Sequence, residues 1–185
     1  EFLGKSSRAQ YSVQEQFFLL NRGTEEEKVS AAKALAEYDG DDRVIDQLTE
    51  VLGSDTTKLA QAAVNSLLTL EAYQELAGTF DRTEEVSAEI RMQIAESLAN
   101  QSASSAKIDG YTYMARNKEG RQGRLALRSL GEVGTPASRR AVEAFLTAEE
   151  PQLRQAAIES IESIGSIQSL SAIAEAVRDI DDDDN

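Results

Sequence analysis

The sequence returns to the same pattern every 31 or 32 residues, and that recurrence restricts the possible folds more than any other feature. A small or branched residue followed four places later by Leu or Ile occurs as Ala31/Leu35, Ala63/Leu67, Ile94/Leu98, Ala126/Leu130 and Ala157/Ile161. The second members of these pairs lie 32, 31, 32 and 31 residues apart. Such spacing marks a tandem repeat, in which each unit cannot bury its apolar face alone and must stack on its neighbours. The last copy is the cleanest. Leu153, Ala157, Ile161 and Ile164 fall at intervals of 4, 4 and 3, which line one face of a helix, and Gly165 supplies its stop.

Each period reads as two helices. Thr24 to Tyr38 is the first, with Thr24 as N-cap, Glu25 and Glu26 in the first turn, and Glu27 at the capping-box position. Asp39-Gly40-Asp41-Asp42 is a turn, and Val44, Ile45, Leu48, Val51 and Leu52 mark the partner helix. The next pair is Asp55 to Leu70 and Glu71 to Thr79, with almost no loop between them. The third begins with a long helix from Thr83 to Asn100, faced by Val86, Ile90, Ile94 and Leu98. Gln101 to Ser105 then loosens the chain before a short Tyr111-to-Arg116 segment, and Asn117-Lys118-Glu119-Gly120 is a turn.

The fourth pair is Arg121 to Val133 and Pro136 to Leu146, with Thr135 as cap and Pro136 at the first helical position. The fifth is Glu149 to Ile164 and Ile167 to Val177. Arg8 to Leu20, apolar at Val13, Phe17 and Leu20, supplies an unpaired first helix, for about eleven helices in all. The expected organisation is a single domain over residues 1–180, with periods near 24–52, 55–80, 84–116, 121–147 and 149–178. Residues 181–185, Asp-Asp-Asp-Asp-Asn, are expected to be a disordered acidic tail, and they lack the spaced ligands and Gly turn of a calcium loop.

Composition agrees with an all-α chain. Two prolines leave long stretches free to be helical, and aromatic residues are only 5%, with no Trp. The chain has no Cys and no His, which removes thiol nucleophiles, disulfides, the usual zinc sites and imidazole acid–base chemistry. Gly-rich phosphate loops and nucleophile elbows are absent too, so no catalytic, metal or cofactor residue is assigned and an enzyme is disfavoured. Asn100-Gln101-Ser102 is a formal glycosylation sequon without a secretory context. No run of about 18 apolar residues could span a membrane. The opening Glu1-Phe2-Leu3-Gly4-Lys5 has neither an initiator Met nor a signal-peptide core; it reads as a fragment boundary, and a cytoplasmic location is expected.

The net charge of −14 repels nucleic acid and anionic membranes on average. Arg outnumbers Lys 13 to 6. That balance fits a salt-adapted surface and an ordinary acidic protein equally well.

The repeat resembles HEAT-like repeats, specifically the short subtype of phycobilisome-lyase-like proteins. The residues that carry the resemblance in the fifth copy are Glu149, Leu153-Arg154, Ala156-Ala157 and Ile161 through Ile164-Gly165. Ile90-Arg91, Ala95 and Leu98 match it, as do Asp55, Leu59, Ala62-Ala63 and Leu67, and Leu130-Gly131-Glu132-Val133-Gly134 matches its second half. Armadillo repeats, longer and three-helical, match less well. Three copies depart from the pattern at the Arg position, with Lys28, Ala60, and Gly123 followed by Arg124.

The resemblance covers roughly residues 24–178 and implies a right-handed α-solenoid of about five HEAT-like helical hairpins plus an N-terminal helix. It also implies that Arg91 and Arg154 pair with acidic groups of adjacent turns, and that the motif helices line a concave partner surface. The function it implies is a non-catalytic protein-interaction scaffold. A bilin lyase or other chromophore-handling protein is the family's enzymatic alternative, against which the missing His and Cys count.

One region reverses the charge. Residues 101–140 hold Lys107, Arg116, Lys118, Arg121, Arg124, Arg128, Arg139 and Arg140 against Asp109, Glu119 and Glu132, so 8 − 3 = +5 where the remainder is −14 − 5 = −19. Arg121, Arg124 and Arg128 share one helix face, and Tyr111 and Tyr113 precede them in the irregular segment. The candidate partner-binding residues are therefore Arg116, Lys118, Arg121, Arg124, Arg128, Tyr111 and Tyr113. Guanidinium groups suit carboxylates and phosphates, and Tyr rings can stack. The alternatives are pairing with acids of adjoining repeats, an acidic protein or peptide partner, and a nucleic-acid or phosphate ligand. The acidic remainder counts against nucleic acid.

Overall fold

In the computed structural model, residues 13–118, 120–164 and 174 are described. The described residues contain helices and no strand. The chain divides into two compact units, residues 1–94 and 95–185.

In the first unit, residues 13–22 form α1. It is followed by α2 (Glu25–Leu35), α3 (Asp42–Glu50), α4 (Thr57–Thr69) and α5 (Tyr73–Gly78), with 3₁₀ turns at Val51–Gly53 and Thr79–Asp81. The capping box of α2 is formed: the Glu27 amide donates to Thr24 Oγ1 at 3.3 Å, and Glu27 Oε2 accepts from the Thr24 amide at 2.7 Å. That arrangement satisfies two otherwise orphaned donors and is worth about 1 kcal/mol. Motif helices α2 and α4 pack together. Ser66 Oγ on α4 donates to the Ala32 carbonyl of α2 at 2.8 Å, a polar rung between successive copies.

Helix α4 ends with the Ala72 amide donating to Leu67 O at 2.9 Å and the Glu71 amide to Leu68 O at 3.2 Å. This is a Schellman closure, but Glu71 (φ 55°) occupies the left-handed position that usually takes Gly.

The second unit contains α7 (Ser104–Asn117), α8 (Gly120–Glu132), α9 (Pro136–Glu143) and α10 (Pro151–Ile164); α6 (Ala88–Ala99) spans the division between the units. Thr135 caps α9, its Oγ1 accepting from the Ser138 amide at 3.0 Å, and Pro136 occupies the first turn. The core of this unit joins Leu127 and Leu130 of α8 to Val142, Phe145 and Leu146 and to Ala157 and Ile161 of α10. Fully burying each Leu or Ile contributes about 1.5–3 kcal/mol. Motif helices α8 and α10 repeat the rung seen between α2 and α4: Ser160 Oγ lies 3.3 Å from Leu127 O and donates to Ala156 O of its own helix at 2.7 Å.

All ten residues of the recurring Ala/Leu-type pairs are buried. The repeat seen in the sequence thus supplies the buried core of each unit, and the described residues are built of helical hairpins. Two helix boundaries differ from expectation. Helix α6 begins at Ala88 rather than Thr83, because Ser87 Oγ accepts from the Ile90 amide at 3.3 Å and caps it there. The preceding residues instead make a single turn closed on Arg82 O.

Helix α7 is a long helix from Ser104, where a loosened stretch and a short Tyr111-to-Arg116 segment are expected. Its Ser-rich start and Gly110 are poor helix formers, but tertiary packing overrides them. A Cβ at Gly110 would lie 2.4 Å from Ala95 O and 2.6 Å from Ala99 N, so the glycine is the point of closest approach to α6. Apart from residue 174, the expected helix from Ile167 to Val177 lies outside the described residues, as do the acidic tail and the start of the first helix before residue 13.

Candidate functional site

Helix α8 explains how the basic region is displayed. Its inner face is Gly123, Ala126, Leu127, Leu130 and Gly131, all buried. With that stripe turned to the core, the 3.6-residue period puts Arg121, Leu125 and Arg128 on the opposite side. Arg121 and Arg128 are exposed and Leu125 is 47% exposed, a large aliphatic side chain in water between two guanidinium groups. Arg121, Arg124, Leu125 and Arg128 together line a hollow of about 240 Å³. A neighbouring cleft of about 340 Å³ runs between Arg124 and Arg128 on one side and Pro151, Gln152, Gln155 and Glu159 of α10 on the other.

The position of Arg124 follows from a departure in the repeat. Arg91 and Arg154 each stand seven residues before the motif Leu or Ile, and both turn inward to backbone carbonyls. Arg91 Nη1 donates to Phe80 O at 3.2 Å; Arg154 Nη1 donates to Ala148 O at 2.7 Å and Glu149 O at 3.0 Å. These two arginines are therefore structural as expected, but their partners are carbonyls of the preceding turn rather than carboxylates. A short chain segment ending in unsatisfied carbonyls offers acceptors that no acidic side chain needs to supply.

In α8 the equivalent position is Gly123, where a Cβ would lie 2.3 Å from Lys118 O. The incoming chain occupies the space that an inward Arg would need. The cation instead follows one residue later, where Arg124 bonds Gln152 Oε1 on the outer surface.

The other candidates do not join this group. Lys118 Nζ pairs with Glu96 Oε1 at 2.7 Å, and the Arg116 guanidinium lies 6.0 Å from the centre of the Phe145 ring, a cation–π contact. Tyr111 packs against the core of the second unit, and Tyr113 is half-buried on the same helix. Both tyrosines sit on α7 rather than in an irregular segment, and the stacking surface expected of them is not assembled. On α9, Arg139 lies 3.9 Å from Glu143.

Arg128 donates to Glu159 Oε2 at 2.9 Å, and this hydrogen bond, with a second from Gln155, holds the Glu159 carboxyl below the ordinary carboxylate range. Both members of that pair are well exposed, so it contributes little to stability and is readily exchanged for another carboxylate. The group that lines the exposed hollow is thus Arg121, Arg124, Leu125 and Arg128. Leu125 is the member that charge counting misses. Its signal in the sequence is a large aliphatic residue at a register where the other copies carry Ser30, Ala62, Gln93 and Ala156.

Among the described residues, no helix is long and apolar enough to cross a membrane, and no group of three or more acidic side chains is placed to hold a metal ion. No curated protein matches the chain. Among solved structures, the crystal structure of an engineered protein is similar over 89% of this chain and 67% of its own, at 17% identity and a TM-score of 0.27. A family model for HEAT repeats matches residues 114–185, which take in α8, α9 and α10. The recurring buried pairs carry the same 31- to 32-residue period through the earlier helices, and the chain is a helical-repeat protein similar over residues 114–185 to HEAT repeats.

Proposed function

We propose that the protein is a non-catalytic interaction scaffold that uses the exposed side of its motif helices, the concave side in repeats of this kind, to hold an acidic segment of a partner protein. The observation that carries this reading is Leu125, 47% exposed within a hollow otherwise lined by three arginines. A solvated ion-pairing face has no need of a large aliphatic side chain at its centre, whereas a peptide site uses one as an apolar anchor. Guanidinium forks on a rigid helix accept carboxylates bidentately, and the Arg128–Glu159 pair exchanges at little cost. The remaining acidic surface disfavours a polyanion as long as a nucleic acid and confines attraction to this ridge. Binding on an exposed ridge is moderate in strength and falls with salt, because charges separated by more than about 8 Å are screened at physiological ionic strength.

The test is anisotropy of fluorescein-labelled polyglutamate titrated with the full chain and with the Arg121→Glu/Arg128→Glu variant. The expected result is binding that weakens between 50 and 300 mM salt, on the order of the Debye screening change, and is abolished by the double reversal. Unchanged binding in the variant would remove this ridge as the site. A labelled single-stranded oligonucleotide run in parallel reports the phosphate alternative.

A further inference from the structure

The α8 ridge already holds an acid from its own chain. We propose that Glu159 of α10 is a built-in competitor for the ridge, so that an acidic partner reaches Arg128 only by displacing the Glu159 carboxylate. The inference rests on the ridge being an acidic-peptide site and names the residue that limits it.

Two cross-helix bonds span the cleft between α8 and α10, and they differ in charge. Arg124 bonds Gln152 Oε1, a neutral amide, whereas Arg128 Nη2 donates to Glu159 Oε2, a carboxylate, at 2.9 Å. Arg121 lines the hollow but not the cleft. The ridge is therefore graded, and only its Arg128 end is guarded by an acid. A partner carboxylate that takes Arg124 releases an uncharged side chain, which exchanges one hydrogen bond for another with water. One that takes Arg128 leaves an anion behind.

That anion stays near. Gln155 Nε2, one turn earlier on α10, donates to Glu159 Oε1 at 3.3 Å. Helix α10 itself is fixed by Ala156, Ala157 and Ile161, which share one buried core with Leu127 and Leu130 of α8. The displaced carboxylate thus remains on the rim of the cleft, where it repels the incoming one. Hydrogen bonds from Arg128 and Gln155 hold the Glu159 carboxyl below the ordinary range, so it is ionised whenever a partner's carboxylates are. With side-chain exposures of 58% for Arg128 and 42% for Glu159, the pair is free to open, and it handicaps a partner without excluding it. If the pair is closed about three-quarters of the time, apparent affinity falls about fourfold.

The experiment is anisotropy of fluorescein-labelled polyglutamate with the full chain, comparing the unaltered protein with Glu159→Gln, Glu162→Gln, Arg128→Gln and Arg128→Gln/Glu159→Gln. Glu162 is exposed on the same helix and lines neither the hollow nor the cleft, so its replacement removes an equal charge without touching Arg128. The expected result is that Glu159→Gln binds about threefold or more tightly than the unaltered protein. Glu162→Gln should gain much less, and the Glu159→Gln gain should shrink to that level once Arg128 is replaced. Equal affinities for the unaltered and Glu159→Gln proteins overturn the proposal. Equal gains from Glu159→Gln and Glu162→Gln also overturn it, because overall charge then explains both, as does a gain that survives the loss of Arg128. The Arg121→Glu/Arg128→Glu variant separates the two levels of the argument. If it loses polyglutamate while Glu159→Gln changes nothing, only the competitor fails; if polyglutamate ignores that reversal, the ridge is not the site and the competitor falls with it.

Discussion

Replacing Gly110 with Ala forces a methyl group into the backbone of the neighbouring helix. The new Cβ would stand 2.4 Å from Ala95 O, 2.6 Å from Ala99 N and 3.1 Å from Ala99 Cα, all main-chain atoms that no rotamer change can move aside. Relief requires α7 to withdraw from α6 by roughly 1 Å, which on a 6–12 potential forfeits a quarter to a half of each contact that opens. The contacts at stake include those of Ala95, Ala99 and Ala106, which are buried.

Overpacking of this kind costs about 1–3 kcal/mol, and a rigid obstacle places it at the upper end. Removing a helix-interior glycine returns about 1 kcal/mol. The balance is a loss of about 2 kcal/mol, and at about 2–4 °C per kcal/mol for a chain of this size the thermal midpoint should fall by about 4–8 °C. Gly78 is the internal control. It is also helical (φ −60°) with nothing within 4 Å of its would-be Cβ, so Gly78→Ala should gain about 0.5–1 kcal/mol. Urea denaturation of both variants followed by circular dichroism is the assay. A Gly110→Ala protein as stable as the unaltered chain would refute the close-approach argument.

Glu71→Gly should stabilise the chain by about 1 kcal/mol, because it relieves a side chain held at φ 55° in the Schellman turn after α4, and a denaturation midpoint that does not rise argues against strain there. Arg154→Met should cost about 1–3 kcal/mol by releasing two carbonyls, Ala148 O and Glu149 O, while keeping the apolar stem; urea denaturation reads the loss. Burial pushes the Asp109 carboxyl up, so its native pKa lies above its unfolded value and its ionised form disfavours the fold. The penalty is present at pH 7 and is lifted as the pH falls through the native pKa toward about 4, the unfolded value. Asp109→Asn should therefore raise the thermal midpoint at pH 7, with an advantage that shrinks on acidification; an advantage constant from pH 7 to pH 4 would exclude desolvation of the carboxylate as its source.

The pairs from Ala31/Leu35 to Ala157/Ile161 were readable because core position and helical period leave the same mark on a sequence. Capping was readable for a similar reason: Thr24 with Glu27, and Thr135 before Pro136, act within one turn of the chain. What stayed hidden depends on neighbours distant in sequence. The length of α7 rests on Gly110 meeting Ala95 and Ala99, so a residue that argues locally for a loop is required by the packing of a helix. The start of α6 turned on whether Ser87 or Thr83 captured the cap, a choice that propensity alone does not settle. In the basic region, charge counting grouped residues that the fold separates. Arg116 and Lys118 lie near Arg121 in the sequence, yet Phe145 and Glu96 engage them elsewhere. Leu125 was overlooked because an apolar residue on a helix is by default assigned to a core.

The buried serine and the inward arginine contacts end on main-chain oxygen. Ser66 reaches Ala32 O and Ser160 faces Leu127 O, while Arg91 and Arg154 close on Phe80 O and Ala148 O in the turns that precede their helices. A joint whose acceptor is a carbonyl asks nothing of the side chain attached to it. Either neighbour can drift in sequence, or be exchanged for another copy, without a compensating change across the seam. Copies joined in this way are interchangeable parts: they can be duplicated, lost or diverged one at a time. One of them can then do without the inward Arg, as the fourth does at Gly123, and carry the cation on its outer surface at Arg124 instead.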